Sequence, residues 1–353
     1  MGAGPVRPVR TPASAPVSLP GAARVAAIDC GTNSLRLLVA DADPAAGRLA
    51  DVDRRMEIVR LGQGVDSTGR LAPAALERTL GVLSGYARII GDLSAEAVRM
   101  VATSATRDAA NAADFVRGVK GVLGLEPEVL SGTEEAYLSF LGATAEFGTT
   151  AEFGATAGSG TPRGDGPYLV VDIGGGSTEF VVGDAQATRA RGAAGVSAVS
   201  VDIGCVRLTE RHLRSDPPRP AEVSAAAADI AAALDLVAVS IPVAAARSLV
   251  GLAGSVTTVA GLALGLAGYD SARIHHSIVP VDQVTVQTRR LLSQTRAERA
   301  ALGVMHPGRA DVIAGGAMVL EAIMRRFGFA EVLASEHDIL DGIAWTLAAG
   351  GPR

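Results

Sequence analysis

Ile28-Asp29-Cys-Gly31-Thr32-Asn33-Ser34-Leu-Arg36-Leu37 and Val171-Asp172-Ile-Gly174-Gly175-Gly176-Ser177-Thr178-Glu179-Phe180 are two copies of one pattern. Asp, Gly, Ser and a large apolar residue recur at offsets 0, +2, +5 and +8, and the copies stand 143 residues apart, about one domain length. Each begins at the end of an apolar run, Val25-Ala-Ala-Ile28 or Leu169-Val-Val171, and leads through small turn residues into another. This is a strand, a Gly-rich turn and a second strand. An internal duplication of this spacing predicts two similar domains facing each other across a cleft.

The flanking sequence extends the pattern outward. Alternating apolar residues at Leu35–Val39 and from Val52 to Leu61 make the first copy part of an antiparallel meander. Pro73 opens a helix to about Asp92, followed by a strand at Val98–Ala102, a helix near Ala112–Leu123, a short strand at Glu128–Leu130 and a helix starting near Thr133. After the second copy come a strand at Val199–Ile203, a helix from Val206, an Ala-rich helix at 221–239 and a strand at Ser248–Leu252. Ala253-Gly254-Ser255 is a small-residue turn entering a helix, and helices at 309–326 and 338–348 flank a last strand, Glu331–Ala334.

Between the halves, Thr144-Ala-Glu-Phe-Gly148 is repeated as Thr150-Ala-Glu-Phe-Gly154 and followed by Gly, Ser, Thr and Pro, which reads as a flexible insertion or linker over 143–166. Prolines at 5, 8, 12, 16 and 20 interrupt every apolar run in residues 1–23, which are expected to form a disordered leader and not a signal peptide. The domains are then 24–142, joined by a returning helix at 335–349, and 167–334.

Of the 353 residues, 48% are hydrophobic, 20% charged and only 3% aromatic, so Ala, Val and Leu must fill the cores. The net charge of −5 gives no overall attraction for nucleic acid or an anionic membrane, and any polyanion must meet a local basic patch. No stretch reaches the roughly 20 uncharged apolar residues of a membrane-spanning helix. Cys30 and Cys205 offer neither a disulfide framework nor metal-ligand spacing. A cytoplasmic protein is the expectation. His275-His276 and His306 lack a third ligand at a sensible spacing and are left out of the site.

A strand ending in Asp followed by a Gly-rich turn presents backbone N–H groups on one concave side, where phosphate oxygens bind. One such turn is also explained by an ordinary link between strands; the matched pair is not. The phosphate-binding candidates are Gly31, Thr32, Asn33 and Ser34 with Gly174, Gly175, Gly176, Ser177 and Thr178. Asp29 and Asp172, at strand ends, suit direct or water-mediated contact with Mg²⁺.

Together with Ala102-Thr-Ser-Ala-Thr-Arg107 and Leu130-Ser-Gly-Thr-Glu134-Glu135-Ala, these motifs resemble the exopolyphosphatase and guanosine pentaphosphate phosphohydrolase (Ppx/GppA) family. That family belongs to the actin, sugar kinase and Hsp70 superfamily. The resemblance covers about residues 24–349. It implies an α/β fold of two ribonuclease-H-like, actin-like ATPase domains with an interdomain cleft, in a short form without an added helical C-terminal domain.

It also implies roles. The second glutamate of Ser-Gly-x-Glu-Glu, Glu135, is the expected general base, with Glu134 as the control. Arg107 is expected to bind the phosphate under attack. Glu179, with Asp172 and Asp29, is expected to hold Mg²⁺ or another divalent ion such as Mn²⁺. The implied reaction is release of terminal orthophosphate from inorganic polyphosphate by attack of water. Guanosine pentaphosphate is the alternative substrate, and a non-catalytic polyphosphate or nucleotide sensor a further reading. A homodimer is compatible with this; a nucleic acid or membrane partner is not expected.

Overall fold

The computed structural model describes residues 22–147 and 166–350; residues 1–21 of the expected leader and most of the 143–166 segment lie outside them, and Ala23, placed in the leader, begins the first strand. The first sheet contains β1 (Ala23–Cys30), β2 (Ser34–Asp43), β3 (Arg48–Ile58), β4 (Ala97–Ala102) and β5 (Glu128–Val129) in the order β3-β2-β1-β4-β5. The second contains β6 (Tyr168–Ile173), β7 (Thr178–Gly183), β8 (Val196–Val201), β9 (Ser248–Leu252), β10 (Ile278–Pro280) and β11 (Glu331–Ala334) in the order β10-β11-β9-β6-β7-β8. In each, three antiparallel strands come first and the next strand joins parallel to the first of them. The duplication legible in the two hairpins therefore extends to whole sheets, and β10 is an addition at the outer edge of the second.

Period-two alternation assigns each strand residue to a face. Ala26 and Ile28 pack with Leu83, Tyr86 and Phe115 of α1 (Pro73–Asp92) and α2 (Ala112–Leu123), whereas Val25 and Ala27 pack with residues of α3 (Gly132–Thr144) and the last helix. In the second sheet Leu169 and Val171 face α5 (Pro220–Ser240), α6 (Ala253–Ala263) and α8 (Ile313–Phe327), while Val170 faces Ala136, Phe140 and Ala143 of α3. Here α4 is Cys205–Arg211, α7 Val281–Ser293 and α9 the last helix, Ile339–Ala348. Phe147 ends this packing, buried against Tyr168 at 5.0 Å between ring centres.

By length and composition α5 is apolar enough to cross a membrane, with a mean hydropathy of 1.7, although Glu222, Asp229 and Asp235 keep it from being the uncharged stretch whose absence was expected. Its packing is that of a surface helix. Ala226, Ile230, Leu234 and Val237 enter the core, Asp229 pairs with Arg211 and Asp235 with Arg326. The 309–326 helix expected from the sequence is two elements, a 3-10 turn at Pro307–Arg309 and then α8.

Helices α3 and α9 cross where both carry glycine. A methyl on Gly142 would stand 1.8 Å from the carbonyl oxygen of Asp338, and one on Gly342 would stand 2.0 Å from that of Leu138. Both neighbours are backbone, so neither side can yield without moving a helix. Gly142→Ala is expected to destabilise the fold by at least about 2 kcal/mol, since overpacking here cannot be relieved by a rotamer change. A denaturant midpoint equal to that of the parent protein would show that the crossing is looser than this contact implies.

Candidate active site

The two turns are closed by the same hydrogen bond: Gly31 N donates to Ser34 O at 3.0 Å, and Gly174 N to Ser177 O at 3.1 Å. Those two amides are therefore spent inside the turns. The amides of Thr32, Asn33, Gly175 and Gly176 make no backbone hydrogen bond among the described residues and remain free to donate. Carbonyl groups of each turn are held from behind. Asn33 O accepts from Val59 and Arg60, and Gly175 O from Val206 and Arg207 at the start of α4.

The turns touch each other. A methyl on Gly175 would lie 2.9 Å from Thr32 Cβ, and one on Gly176 would lie 2.7 Å from Thr32 Oγ1 and 2.8 Å from Ser104 Oγ. Only glycine permits this approach. Thr32 Oγ1 and Ser104 Oγ share a hydrogen bond of 2.9 Å, which joins the first turn to the Thr-Ser-Ala segment. Beside this contact opens a cleft of about 750 Å³, including its mouth, lined by Gly31, Thr32, Asn33, Ser34, Gly174, Gly175 and Ser177 together with Asp29, Asp172 and Glu135. Gly176 belongs to the contact between the turns. Thr178, expected to bind phosphate, is fully buried and donates its hydroxyl to Ile203 O, which ties β7 to the chain beyond β8.

Strand register places Asp29 opposite Arg36 and Asp172 opposite Glu179, the same position in each hairpin. The chemistry of the two pairs differs. In the first, Arg36 donates from Nη2 at 2.8 Å and Nε at 3.0 Å to Asp29 Oδ2, and from Nη1 to Asp338. In the second, two carboxylates sit side by side, with Ser139 donating to Asp172 at 2.8 Å and Ser200 to Glu179 at 2.7 Å. Burial, then the nearby Asp338, pushes Asp172 up to about 6; burial, then Asp172, pushes Glu179 up to about 7.

Helix α3 brings Glu135 to this group. Ser131 Oγ accepts from Glu134 N while the Glu134 carboxylate accepts from Ser131 N at 2.9 Å, a capping box that occupies Glu134 at the helix start. The next residue, one step around the helix, is 8% exposed and lines the cleft. Burial and the neighbouring Glu179 carboxylate raise Glu135 well above the ordinary range, partly offset by Arg107, whose Nη1 lies 3.2 Å from Glu135 Oε2. Arg107 is itself fixed by a 2.9 Å hydrogen bond to Leu130 O. Its neighbours Asp108 and Asp114 pair elsewhere, with Arg207 and Arg117.

Five carboxylates, Asp29, Glu135, Asp172, Glu179 and Asp338, thus influence one another in a buried space that holds two guanidinium groups, Arg36 and Arg107. Asp29 Oδ1 is buried with no hydrogen-bond partner. Excess negative charge and an orphaned carboxylate oxygen fit a hard divalent cation with oxygen ligands. The raised values set a sign for stability. Asp172 and Glu179 hold protons more tightly folded than unfolded, so the metal-free protein loses stability as pH rises from about 4 to 7. In chelator, the denaturant midpoint is expected to fall between about pH 5 and 7, and Asp172→Asn to flatten that slope; a midpoint rising over this window contradicts it.

Arg309 is a cleft residue the sequence reading missed. Its guanidinium lies over Gly254, where a methyl would stand 2.1 Å from Cζ, and it has no carboxylate within ion-pair distance among the described residues. Gly254 and Ser255, read as a small-residue turn, leave the space it occupies.

Residues 38–347 match the Ppx/GppA phosphatase family. The chain belongs to that family. It is 49% identical over 336 residues to exopolyphosphatase 2 of Mycobacterium tuberculosis, covering 92% of this chain and 98% of that protein. Among solved structures, an exopolyphosphatase-like protein is 39% identical with a TM-score of 0.82, covering 93% of this chain and 99% of that one. A Ppx/GppA family member from Aquifex aeolicus is 29% identical with a TM-score of 0.73, covering 93% and 98%. The actin-like, two-sheet fold is thus shared with Ppx/GppA proteins along almost the whole chain.

Proposed function

We propose that this cleft hydrolyses the terminal phosphoanhydride bond of inorganic polyphosphate, with Glu135 accepting the proton of the attacking water. The observation that carries the proposal is a buried carboxylate with a raised proton affinity, held against an arginine beside two phosphate-sized turns. Water is a poor nucleophile, and a carboxylate held above the ordinary range is a stronger base toward it than an exposed one. The name of the 49% identical relative, exopolyphosphatase 2, supports the substrate.

The terminal phosphoryl group passes through a loose transition state that needs positioning and neutralised charge more than covalent help. Backbone amides of Thr32, Asn33 and Gly175 hold phosphate oxygens, and Arg107 and Arg309 supply positive charge to them. Asp172, Glu179 and Asp29 would hold Mg²⁺ or Mn²⁺, which when bound supplies further neutralisation of the anhydride oxygens. Released orthophosphate takes the oxygen of the water, and the shortened chain leaves with its own terminal oxygen. Cys30 and Cys205 are both free and buried, which suits a reducing cytoplasm.

Guanosine pentaphosphate presents the same terminal bond. A polyphosphate site grips successive phosphates, so apparent affinity is expected to rise with chain length and to weaken with salt. The test is apparent affinity for polyphosphates of increasing length at two salt concentrations, with guanosine pentaphosphate in parallel. A flat, salt-independent series beside efficient guanosine pentaphosphate hydrolysis would replace this substrate with the nucleotide.

A further inference from the structure

Three of the five histidines in the chain converge on one carboxylate outside the cleft. Glu146 follows the end of α3, His275 and His276 lie between a short helix and β10, and His337 lies between β11 and α9. His275 Nε2 is 3.4 Å from Glu146 Oε2, and His337 Nδ1 is 3.6 Å from Glu146 Oε1. One ligand atom from each of Glu146, His275 and His337 falls within 4.8 Å of the other two.

We propose that Glu146, His275 and His337 form a binding site for a divalent transition-metal ion of the zinc type, distinct from the cleft carboxylates. Bonds of about 2.0–2.1 Å at tetrahedral angles put donor atoms about 3.3–3.4 Å apart; each histidine lies near that distance from a different Glu146 oxygen, so a small turn of the carboxylate brings one oxygen to both. Two imidazoles and one carboxylate leave the fourth position to water. Imidazole donors favour zinc and its neighbours over Mg²⁺, which takes oxygen, so this site and the cleft select different ions.

The surroundings are already arranged for ligation. His275 and His337 rings lie 4.4 Å apart between centres, and His276 stacks on His275 at 3.7 Å. His275 is hydrogen-bonded to the Glu146 carboxylate, and His276 and His337 face the same group. One hydrogen bond must yield. Glu336 N donates to His275 Nδ1 at 3.1 Å, which leaves the neutral ring's proton on Nε2, facing Glu146. A metal bound at Nε2 moves that proton to Nδ1, and the ring must then release the amide. The bound ion would fasten the end of α3, the helix that carries Glu135, to the segment that leads into α9.

The experiment is zinc binding to the full chain by competition with a chromogenic chelator in excess Mg²⁺, comparing the parent protein, His275→Ala/His337→Ala and Asp172→Asn. The expected result is one zinc held in excess Mg²⁺, at least about tenfold weaker in the double histidine variant and retained in Asp172→Asn. Unchanged binding in the histidine variant, or loss that follows Asp172→Asn instead, overturns the site. Should the double variant fail to fold, the absorption of Co²⁺ bound to the parent protein decides. Intense four-coordinate bands that vanish in His337→Gln support the site, and weak six-coordinate bands overturn it.

Discussion

Replacing Glu135 by glutamine is expected to lower turnover by about 10²- to 10⁴-fold while leaving apparent substrate affinity nearly unchanged. The substitution keeps the size of the side chain and a hydrogen-bonding oxygen for Arg107, but removes the group that accepts a proton. It also takes one negative charge from the buried set around Asp172 and Glu179, which eases repulsion of an anionic substrate, and turnover is therefore compared at saturating Mg²⁺. Glu134→Gln provides the contrast. Glu134 is turned back on Ser131 in the capping box, so its loss should cost at most about 1 kcal/mol of stability and little activity. Near-normal turnover in the Glu135 variant would end its assignment as base. So would an equal loss in both variants.

Removing divalent metal is expected to abolish activity, and added Mg²⁺ to restore it. The argument rests on charge. Five buried carboxylates already face two arginines, and a polyphosphate end adds further negative charge to the same cleft. Without a cation, that repulsion opposes substrate binding and the developing charge alike. Asp172→Asn keeps the Ser139 hydrogen bond possible but removes one ligand charge, and should raise the Mg²⁺ concentration needed for half-activity by about tenfold or more. Full activity in excess chelator refutes the metal reading, and an unaltered Mg²⁺ requirement in Asp172→Asn removes Asp172 from it.

The parts of this site that were legible in the sequence are those fixed by local chain geometry. A strand, a tight turn of small residues and a second strand have one periodicity, and its repetition announced two sheets before any contact was known. The same pattern held a further signal: Arg36 and Glu179 both fall seven residues after their aspartates, so the hairpin pairing that opposes them could have been drawn from spacing alone. What was not legible depends on long-range closure. Asp338 reads as the first residue of a final helix, yet it caps that helix and its carboxylate also meets Arg36 of β2. Arg309 reads as the first residue of a helix but sits on a separate turn, aimed over Gly254. His275 and His276 show no ligand spacing because their partners come from residues 146 and 337, brought together only by the α3 and α9 crossing. Helix periodicity does reveal that Glu134 and Glu135 point in different directions, but not which of them meets the cleft.

The central claim is that water attacks the terminal phosphorus of a polyphosphate chain held in this cleft. It is tested most directly by incubating the protein with polyphosphate of defined length and Mg²⁺, following orthophosphate and the remaining chain lengths together. The account predicts orthophosphate from the first turnovers and chains that shorten only from their ends, with both signals lost in Glu135→Gln. Fragments of intermediate length without orthophosphate, or no phosphate release with Mg²⁺ present, would contradict it.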